Sequence, residues 1–373
     1  MRPVVQLRSS AGLYGADRMV LALARHLPDA GQASVLACID NHHLGHSPLH
    51  DEAQRQHQDS VLLPSKGRLD TGAISTLRGL LRSTKADCVH AHDPKSAVYA
   101  WLATRGIDCA CVATTHGWIE TSTALRLYNR IERALLKRYD AVVTVAQPQV
   151  DNLVAAGVAR DRIHSIANGI EMIEPTLPQE RLLARQRFRC EPGETVFAAI
   201  GRLAPEKNLS LLLHAMSRIG EDAPIHLLVA GDGPEFGMLA LLIEALGLRS
   251  RVTMLGALDD CAPIYAAMDM LVLPSQSEGM PLVVLEAMSA GKPILATAVG
   301  DVPALLAHAP CSRLLPADEI AWADAMRAAI GTRSDDAAAR AYVREFHSAP
   351  VMAARYAGLY RTLRGAGDVA RAA

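Results

Sequence analysis

No sign of charge dominates this chain. Its 373 residues hold 38 Lys and Arg against 39 Asp and Glu, a formal net charge of −1. Nucleic-acid binding held by bulk positive charge is therefore not expected. No stretch reaches the about 18 uncharged apolar residues that span a membrane. The opening apolar run, residues 3–7, is too short for a secretion signal and Arg8 follows it. A cytoplasmic protein is expected. Paired cysteines are missing too: seven, an odd number, are scattered at 38, 88, 109, 111, 190, 261 and 311. They read as reduced, mostly buried thiols rather than a disulfide framework. Cys109 and Cys111 lack the partner pair that a metal site needs, so core packing is expected there. Two nucleotide fingerprints are also absent. No Gly-x-Gly-x-x-Gly follows a strand-like run, and no Gly-Lys-Ser/Thr occurs.

Half the residues are hydrophobic and only 21% are charged, which excludes disorder as the main state. At roughly 150 residues per domain the length implies two domains. Short apolar runs alternate with helix-period segments along both halves. In the first half the runs are 4–7, 33–39, 86–89, 109–114, 141–146 and 163–166. In the second they are 195–200, 225–230, 252–255, 270–273, 293–296 and 313–315. Continuous apolar strands joined by helices mean parallel sheets buried on both faces. The fold class is α/β, with two Rossmann-like doubly wound domains facing a cleft. The first domain is placed at 1–170, a linker rich in Glu, Pro and Arg at 171–180, and the second domain at 181–345. An amphipathic helix over 352–363 lies in a terminal segment, 346–373. Residues 41–65, with His42, His43, His46, His50 and His57, read as a solvated loop rather than a metal site.

Four motifs carry chemistry. Ser275-Gln276-Ser277-Glu278-Gly279-Met280-Pro281-Leu282 follows the run 270–273. A helix is expected from Pro281, and it brings Glu286 eight residues beyond Glu278. Gly279 exposes backbone N–H groups at that helix start, where an oxygen-rich group can bind. Glu286 sits among Val283, Val284, Leu285 and Met288, so its carboxylate needs a partner, and a sugar diol is one. Second, Gly201-Arg202-Leu203-Ala204-Pro205-Glu206-Lys207 follows the run 195–200. Arg202 offers a forked donor and Lys207 a point charge, both suited to a diphosphate. Third, small residues at Ser9-Ser10-Ala11-Gly12 and Gly15 after the first run let a ligand approach the backbone. Fourth, Thr115-His116-Gly117 ends another run and faces the cleft. His90 and His92, on the run before it, read as structural.

With these motifs in place, the chain resembles the retaining, nucleotide-sugar-dependent glycosyltransferases of group 1, family 4, with the GT-B fold. Glu278 to Glu286 matches that family's Glu-x7-Glu element, and Gly201-Arg202 to Lys207 its Gly-Arg-x4-Lys clamp. Weaker matches fall in the same order: Tyr14-Gly15-Ala16-Asp17-Arg18, Thr115-His116-Gly117, Asn168-Gly169-Ile170-Glu171 and Ala230-Gly231-Asp232-Gly233-Pro234-Glu235. The resemblance implies that Arg202, Lys207 and Gly15 hold the donor diphosphate. It implies that Glu286 binds the ribose, and that Glu278 meets the transferred sugar with backbone from Gly279, Met280, Pro281 and Leu282. Backbone near Leu258 would hold the base, and His116 would touch the sugar or acceptor. The terminal helix would cross back onto the first domain. The chain departs from the pattern at Gly300-Asp301-Val302-Pro303-Ala304, where the family often has Gly-Gly-x-Pro-Glu. It departs again at Tyr14, where the family has Gly.

The implied activity is retaining transfer of a hexose-type sugar from a UDP- or GDP-sugar to a hydroxyl of a glycan or lipid-linked acceptor. Cell-envelope or exopolysaccharide assembly is the expected setting. No Asp-x-Asp occurs, so no metal or other cofactor is expected, and Arg202, Lys207 and a helix N-terminus offset the diphosphate charge. Arg126, Arg130, Arg133, Lys137 and Arg138 lie on one helical segment, 124–138. That segment reads either as a dock for an anionic membrane at the inner face of the plasma membrane or as an ordinary cationic surface. Two rival functions share the fold: a non-catalytic sugar-nucleotide-binding partner subunit and a GT-B nucleotide-sugar epimerase.

Overall fold

The computed structural model describes residues 2–10, 12–40, 47–67, 69–115, 123–146 and 149–372, with backbone alone at 123–128 and 366–372. The chain divides into two compact units, Met1–Gly169 with Ser348–Ala373, and Ile170–His347.

The first unit holds seven parallel strands: β1 (Val4–Ser9), β2 (Ser34–Ile39), β3 (Ser60–Leu63), β4 (Cys88–Ala91), β5 (Ala110–Thr115), β6 (Ala141–Thr144) and β7 (Ile163–Ser165). Their order is β3-β2-β1-β4-β5-β6-β7. The second unit holds six: β8 (Thr195–Ile200), β9 (Ile225–Ala230), β10 (Val252–Gly256), β11 (Met270–Leu273), β12 (Ile294–Thr297) and β13 (Arg313–Leu315). Their order is β10-β9-β8-β11-β12-β13, again all parallel. In both sheets the order reverses beside the first strand, between β1 and β4 and between β8 and β11. Ligands of such sheets bind beyond the carboxyl ends of the strands at that reversal.

Why these runs become buried strands is plain in β8. Val196 and Ala198 pack into one core, against helices Pro178–Arg187, Ala262–Ala267, Leu282–Ser289 and Ala337–Phe346. Phe197 and Ala199, pointing the other way, pack into a second core against helices Leu209–Ser217, Phe236–Ala245 and Glu319–Ala328. Both faces are apolar, so the period of two is hidden in the sequence.

In the first unit, one face of the sheet carries Val5, Leu7, Val89 and Cys111 against helices Thr71–Ser83 and Pro94–Thr104. A buried polar chain links β1, β4 and β5 to the terminal helix Ala349–Ala372. Tyr360 Oη lies 2.6 Å from His90 Nδ1 and accepts from Gln6 Nε2 at 3.2 Å. His90 Nε2 lies 2.8 Å from Thr114 Oγ1, which is 3.1 Å from Tyr356 Oη. His92 Nε2 is 2.7 Å from Gln6 Oε1. His90 and His92 are thus fully buried and structural.

Several boundaries differ from those the sequence predicts. The change of unit falls after Gly169 and after His347, not at 171–180 and 345. The proposed linker is docked: Met172 and Ile173 pack on the second unit's core, Ile173 N–H donates to Ser289 Oγ at 2.8 Å, and helix Pro178–Arg187 begins inside it. The segment 41–65 is not one loop. It contains helix Pro48–Arg55 and edge strand β3, while His42, His43 and His46 lie outside the described residues. All seven cysteines are free, and Cys311 is exposed rather than buried. Burial pushes the thiols of Cys38, Cys109 and Cys111 up to about 12, which keeps them unreactive.

Candidate functional site

Two of the motifs leave the second unit's sheet at its reversal point. Residues 201–208 leave the end of β8, and residues 274–281 leave the end of β11. Between them lies a small recess lined by Gly201, Arg202, Lys207, Pro274 and Ser275. The two loops are stitched together, because Gln276 N–H donates to the Glu206 carbonyl at 2.8 Å. Close backbone approach requires glycine at two places behind them. A Cβ on Gly231 would stand 1.8 Å from the Gly201 carbonyl oxygen, and its φ is +141°. A Cβ on Gly300, φ +53°, would stand 2.3 Å from the Glu278 carbonyl oxygen.

The two cations are not bare. Lys207 Nζ donates to Glu278 Oε1 at 2.6 Å, and Ser275 Oγ donates to the same oxygen at 2.6 Å. No hydrogen bond from a described residue reaches Glu278 Oε2. Arg202 pairs with Glu206 at 2.6 Å. Partial burial works to raise the Glu206 carboxyl, but a backbone hydrogen bond and the Arg202 guanidinium hold it below the usual carboxylate range. The sequence reading leaves both cations to a ligand. The structure gives each a carboxylate as well.

Helix Leu282–Ser289 starts one residue later than predicted, with Pro281 as its N-cap. Pro281 has no N–H, so the donors at this helix start are those of the residues around it. Glu286, midway along the helix, is half-buried. Its carboxylate accepts a hydrogen bond from the hydroxyl of Tyr265, a residue that the sequence reading does not single out. Leu258 follows the end of β10 and packs, half-buried, on the same core.

Gly15 belongs to the first unit, where it is exposed and opens helix Gly15–His26 beyond β1. Its loop is anchored from below: Tyr14 N–H donates to Asp17 at 3.0 Å, and Arg8 Nε donates to Asp17 at 2.8 Å. Arg8 also donates to the His92 carbonyl at 2.5 Å. His116 and Gly117 lie outside the described residues. The basic segment is helix Thr123–Leu136 with the turn after it. Arg130, Lys137 and Arg138 are exposed there, Arg138 lying 5.3 Å from the Trp101 ring. The Arg126 side chain is outside the described residues. Among the described residues no helix is long and apolar enough to cross a membrane.

The profile described as Glycosyltransferase Family 4 matches residues 14–172, and that described as Glycosyl transferases group 1 matches residues 194–331. D-inositol 3-phosphate glycosyltransferase of Mycobacterium sp. (strain KMS) is 28% identical over 257 residues, 64% of this chain and 57% of that protein. The chain thus spans a little over half the length of that curated relative. Among solved structures, Anabaena HepE in complex with UDP and glucose is similar, with a TM-score of 0.83 and 20% identity over 96% of this chain and 99% of that one. Sucrose-phosphate synthase from Thermosynechococcus elongatus is similar too, with a TM-score of 0.80 and 21% identity over 98% and 100% of the two chains. These share the fold, two parallel-sheet Rossmann-like units of the GT-B type. From its two matched halves and the motifs seated in them, the chain belongs to the group 1, family 4 glycosyltransferases.

Proposed function

We propose that this chain is a retaining glycosyltransferase. It moves a hexose-type sugar from a nucleotide-diphosphate sugar to a hydroxyl of a glycan or lipid-linked acceptor, in cell-envelope or exopolysaccharide assembly. The observation that carries the reading is the Lys207–Glu278–Ser275 cluster at the reversal point of the second sheet. UDP is the favoured base, because HepE, a protein of like fold, is described in complex with UDP and glucose; GDP is the other base to test.

In this reading the half-exposed Arg202 fork and Lys207 take the diphosphate, with no metal needed. Gly15 closes on the phosphates from its own loop. Ribose hydroxyls donate to Glu286, which Tyr265 holds in place. Backbone near Leu258 meets the base. Glu278 keeps its Oε1 on Lys207 and Ser275 and offers Oε2 to a sugar hydroxyl, with the turn Gly279–Leu282 reading the others. His116 meets the sugar or the acceptor. An oxygen already holding two donors suits a fixed positioning charge better than a nucleophile. The bond from the anomeric carbon to the diphosphate then breaks as the acceptor oxygen bonds to that carbon on the same face. The acceptor proton passes to the departing phosphate oxygen. The exposed Arg130 and Lys137, with Ile131 43% exposed beside them, support peripheral contact with an anionic inner membrane face.

The test is a thermal-shift screen of the purified protein against UDP, GDP, ADP, CDP and their sugar conjugates in EDTA, beside an Arg202→Ala/Lys207→Ala double variant. The expected result is a shift with uridine nucleotides that the double variant loses. No shift with any nucleotide overturns the donor reading and favours a non-catalytic partner subunit. A free epimerised nucleotide sugar, formed without acceptor, favours an epimerase.

A further inference from the structure

Aspartates at the start of helices in this chain do the same job. Asp70, Asp93, Asp318 and Asp336 each accept a hydrogen bond from an N–H of the helix that follows. Asp301 stands at the same place before helix Val302–Leu306, yet its carboxylate accepts no such bond. No hydrogen bond or ion pair from any described residue reaches it, although the residue is only 8% exposed. Burial without a partner raises its carboxyl to about 6. The residue is mostly buried, but its carboxylate oxygens are not among the enclosed unpartnered polar atoms, so they reach solvent and stand open to a ligand's donor.

The surroundings say which ligand. Asp301 N–H donates to the Gly279 carbonyl at 2.9 Å. The α-carbon of the preceding Gly300 is pressed against the carbonyls of Glu278 and Gly279, so closely that a Cβ there would meet them at 2.3 and 2.5 Å. Asp301 is therefore fastened to the turn that carries Glu278. In that turn Glu278 is the one charged acceptor, and its Oε1 is already engaged by Lys207 and Ser275. Where the related pattern has a second glycine, which bears no side chain, this chain has a carboxylate.

Building on the proposed transferase reading, we infer that Asp301 accepts a hydrogen bond from a hydroxyl of the donor's sugar and sets which sugar the site takes. The role is specificity: Asp301 distinguishes sugars by whether a hydroxyl stands at the position it faces. UDP, which has no such sugar, does not sense it.

The test is calorimetric titration of the full chain with UDP, UDP-glucose, UDP-galactose, UDP-N-acetylglucosamine, UDP-glucuronate and GDP-mannose. It is run on the unaltered protein and on Asp301→Asn and Asp301→Ser, with the melting temperature of each recorded. The expected result is a Kd for UDP changed less than about twofold, with the Kd for the tightest UDP-sugar raised about tenfold or more, as for a lost hydrogen bond to a charged group. Asp301→Ser, which is small and a good helix cap, gives the same reading if Asp301→Asn folds poorly. An unchanged ratio of UDP-sugar to UDP affinity in both variants overturns the assignment of Asp301 and leaves the transferase reading intact. An unaltered protein that binds none of the six nucleotides overturns that reading itself, and this inference with it.

Discussion

Lys207 Nζ lies 2.6 Å from Glu278 Oε1, although 71 positions separate the two residues in the chain. The ion pair is drawn from the ends of β8 and β11, so it exists only because the strand order reverses between them. Its members want opposite things from a nucleotide. Lys207 attracts the diphosphate and Glu278 repels it. Removing the cation and removing the carboxylate should therefore act in opposite directions on UDP.

In Lys207→Ala the Kd for UDP should rise about tenfold to a hundredfold, the range for lost charge-assisted hydrogen bonds. In Glu278→Gln it should stay level or fall, while kcat/KM for sugar transfer drops by about a hundredfold. Calorimetry and a UDP-release assay separate the two. A Glu278→Gln variant that binds UDP as poorly as Lys207→Ala would sink the division of labour.

Tyr265→Phe keeps the ring, which is buried in the core, and deletes only the hydroxyl that donates to Glu286. A loss of about 1–2 kcal/mol is expected, or roughly 2–4 °C in Tm per kcal/mol for a unit of this size. UDP binding should weaken as well, because Glu286 loses its fixed orientation. Unchanged UDP affinity at full occupancy would show that Tyr265 only packs.

Gly300→Ala combines a left-handed backbone, φ +53°, with a Cβ 2.3 Å from the Glu278 carbonyl oxygen. The backbone must move, and the turn of Glu278 moves with it. Transfer should fall more than about tenfold, with a stability loss of about 1–3 kcal/mol. Urea unfolding read beside initial rates checks both, and wild-type rates in a destabilised variant would count against the buttress.

One carboxyl and one amine give the stability curve opposite slopes. Burial raises Asp301 from 3.8 to about 6, so the native state holds a proton there that the unfolded chain has released. Its contribution is present below about pH 4 and is lost as pH rises through 6. Burial, with Arg181 nearby, lowers Lys292 from 10.5 to about 8. Its contribution is present above about pH 10.5 and is lost as pH falls through 8. Chemical denaturation across pH should lose the acid-side slope in Asp301→Asn and the alkaline slope in Lys292→Met. A slope that survives its own substitution refutes that assignment.

Strands with apolar side chains on both faces stand out as uninterrupted runs, and β8, β9 and β11 fall at the residues that their runs mark. Edge strand β3 does not, since Ser60, Val61 and Leu62 are only half-buried and the stretch before them is polar. Helix Pro178–Arg187 is hidden by its charge. Arg181 and Arg185 are turned inward, donating to the carbonyls of Ala266, Ala267 and Met268 and pairing with Asp269, while Arg187 is exposed. Within the site, Arg202, Lys207, Glu278 and Glu286 are legible because each sits at fixed spacing after a strand. Tyr265 is not, because it reaches Glu286 from another helix and its own surroundings are those of any core tyrosine. Asp301 is visible only as a departure from a pattern, and what makes it matter is a bond that it does not make.

The terminal helix Ala349–Ala372 supplies Met352, Tyr356 and Tyr360 to the buried side of the first unit, and Gly169 is bare where that helix begins because Met352 and the Ser348 carbonyl crowd it. A ribosome makes these pieces in an awkward order. By the time residue 347 is added, every strand and helix of the second unit exists, and it can fold while the first still lacks a wall. The half of the protein that is begun first is the half completed last. Until the terminal helix arrives, Gln6, His90 and Thr114 have no tyrosine hydroxyls to satisfy them. A nascent or prematurely stopped chain therefore carries one finished domain and one that a chaperone or protease can recognise by its open polar seam.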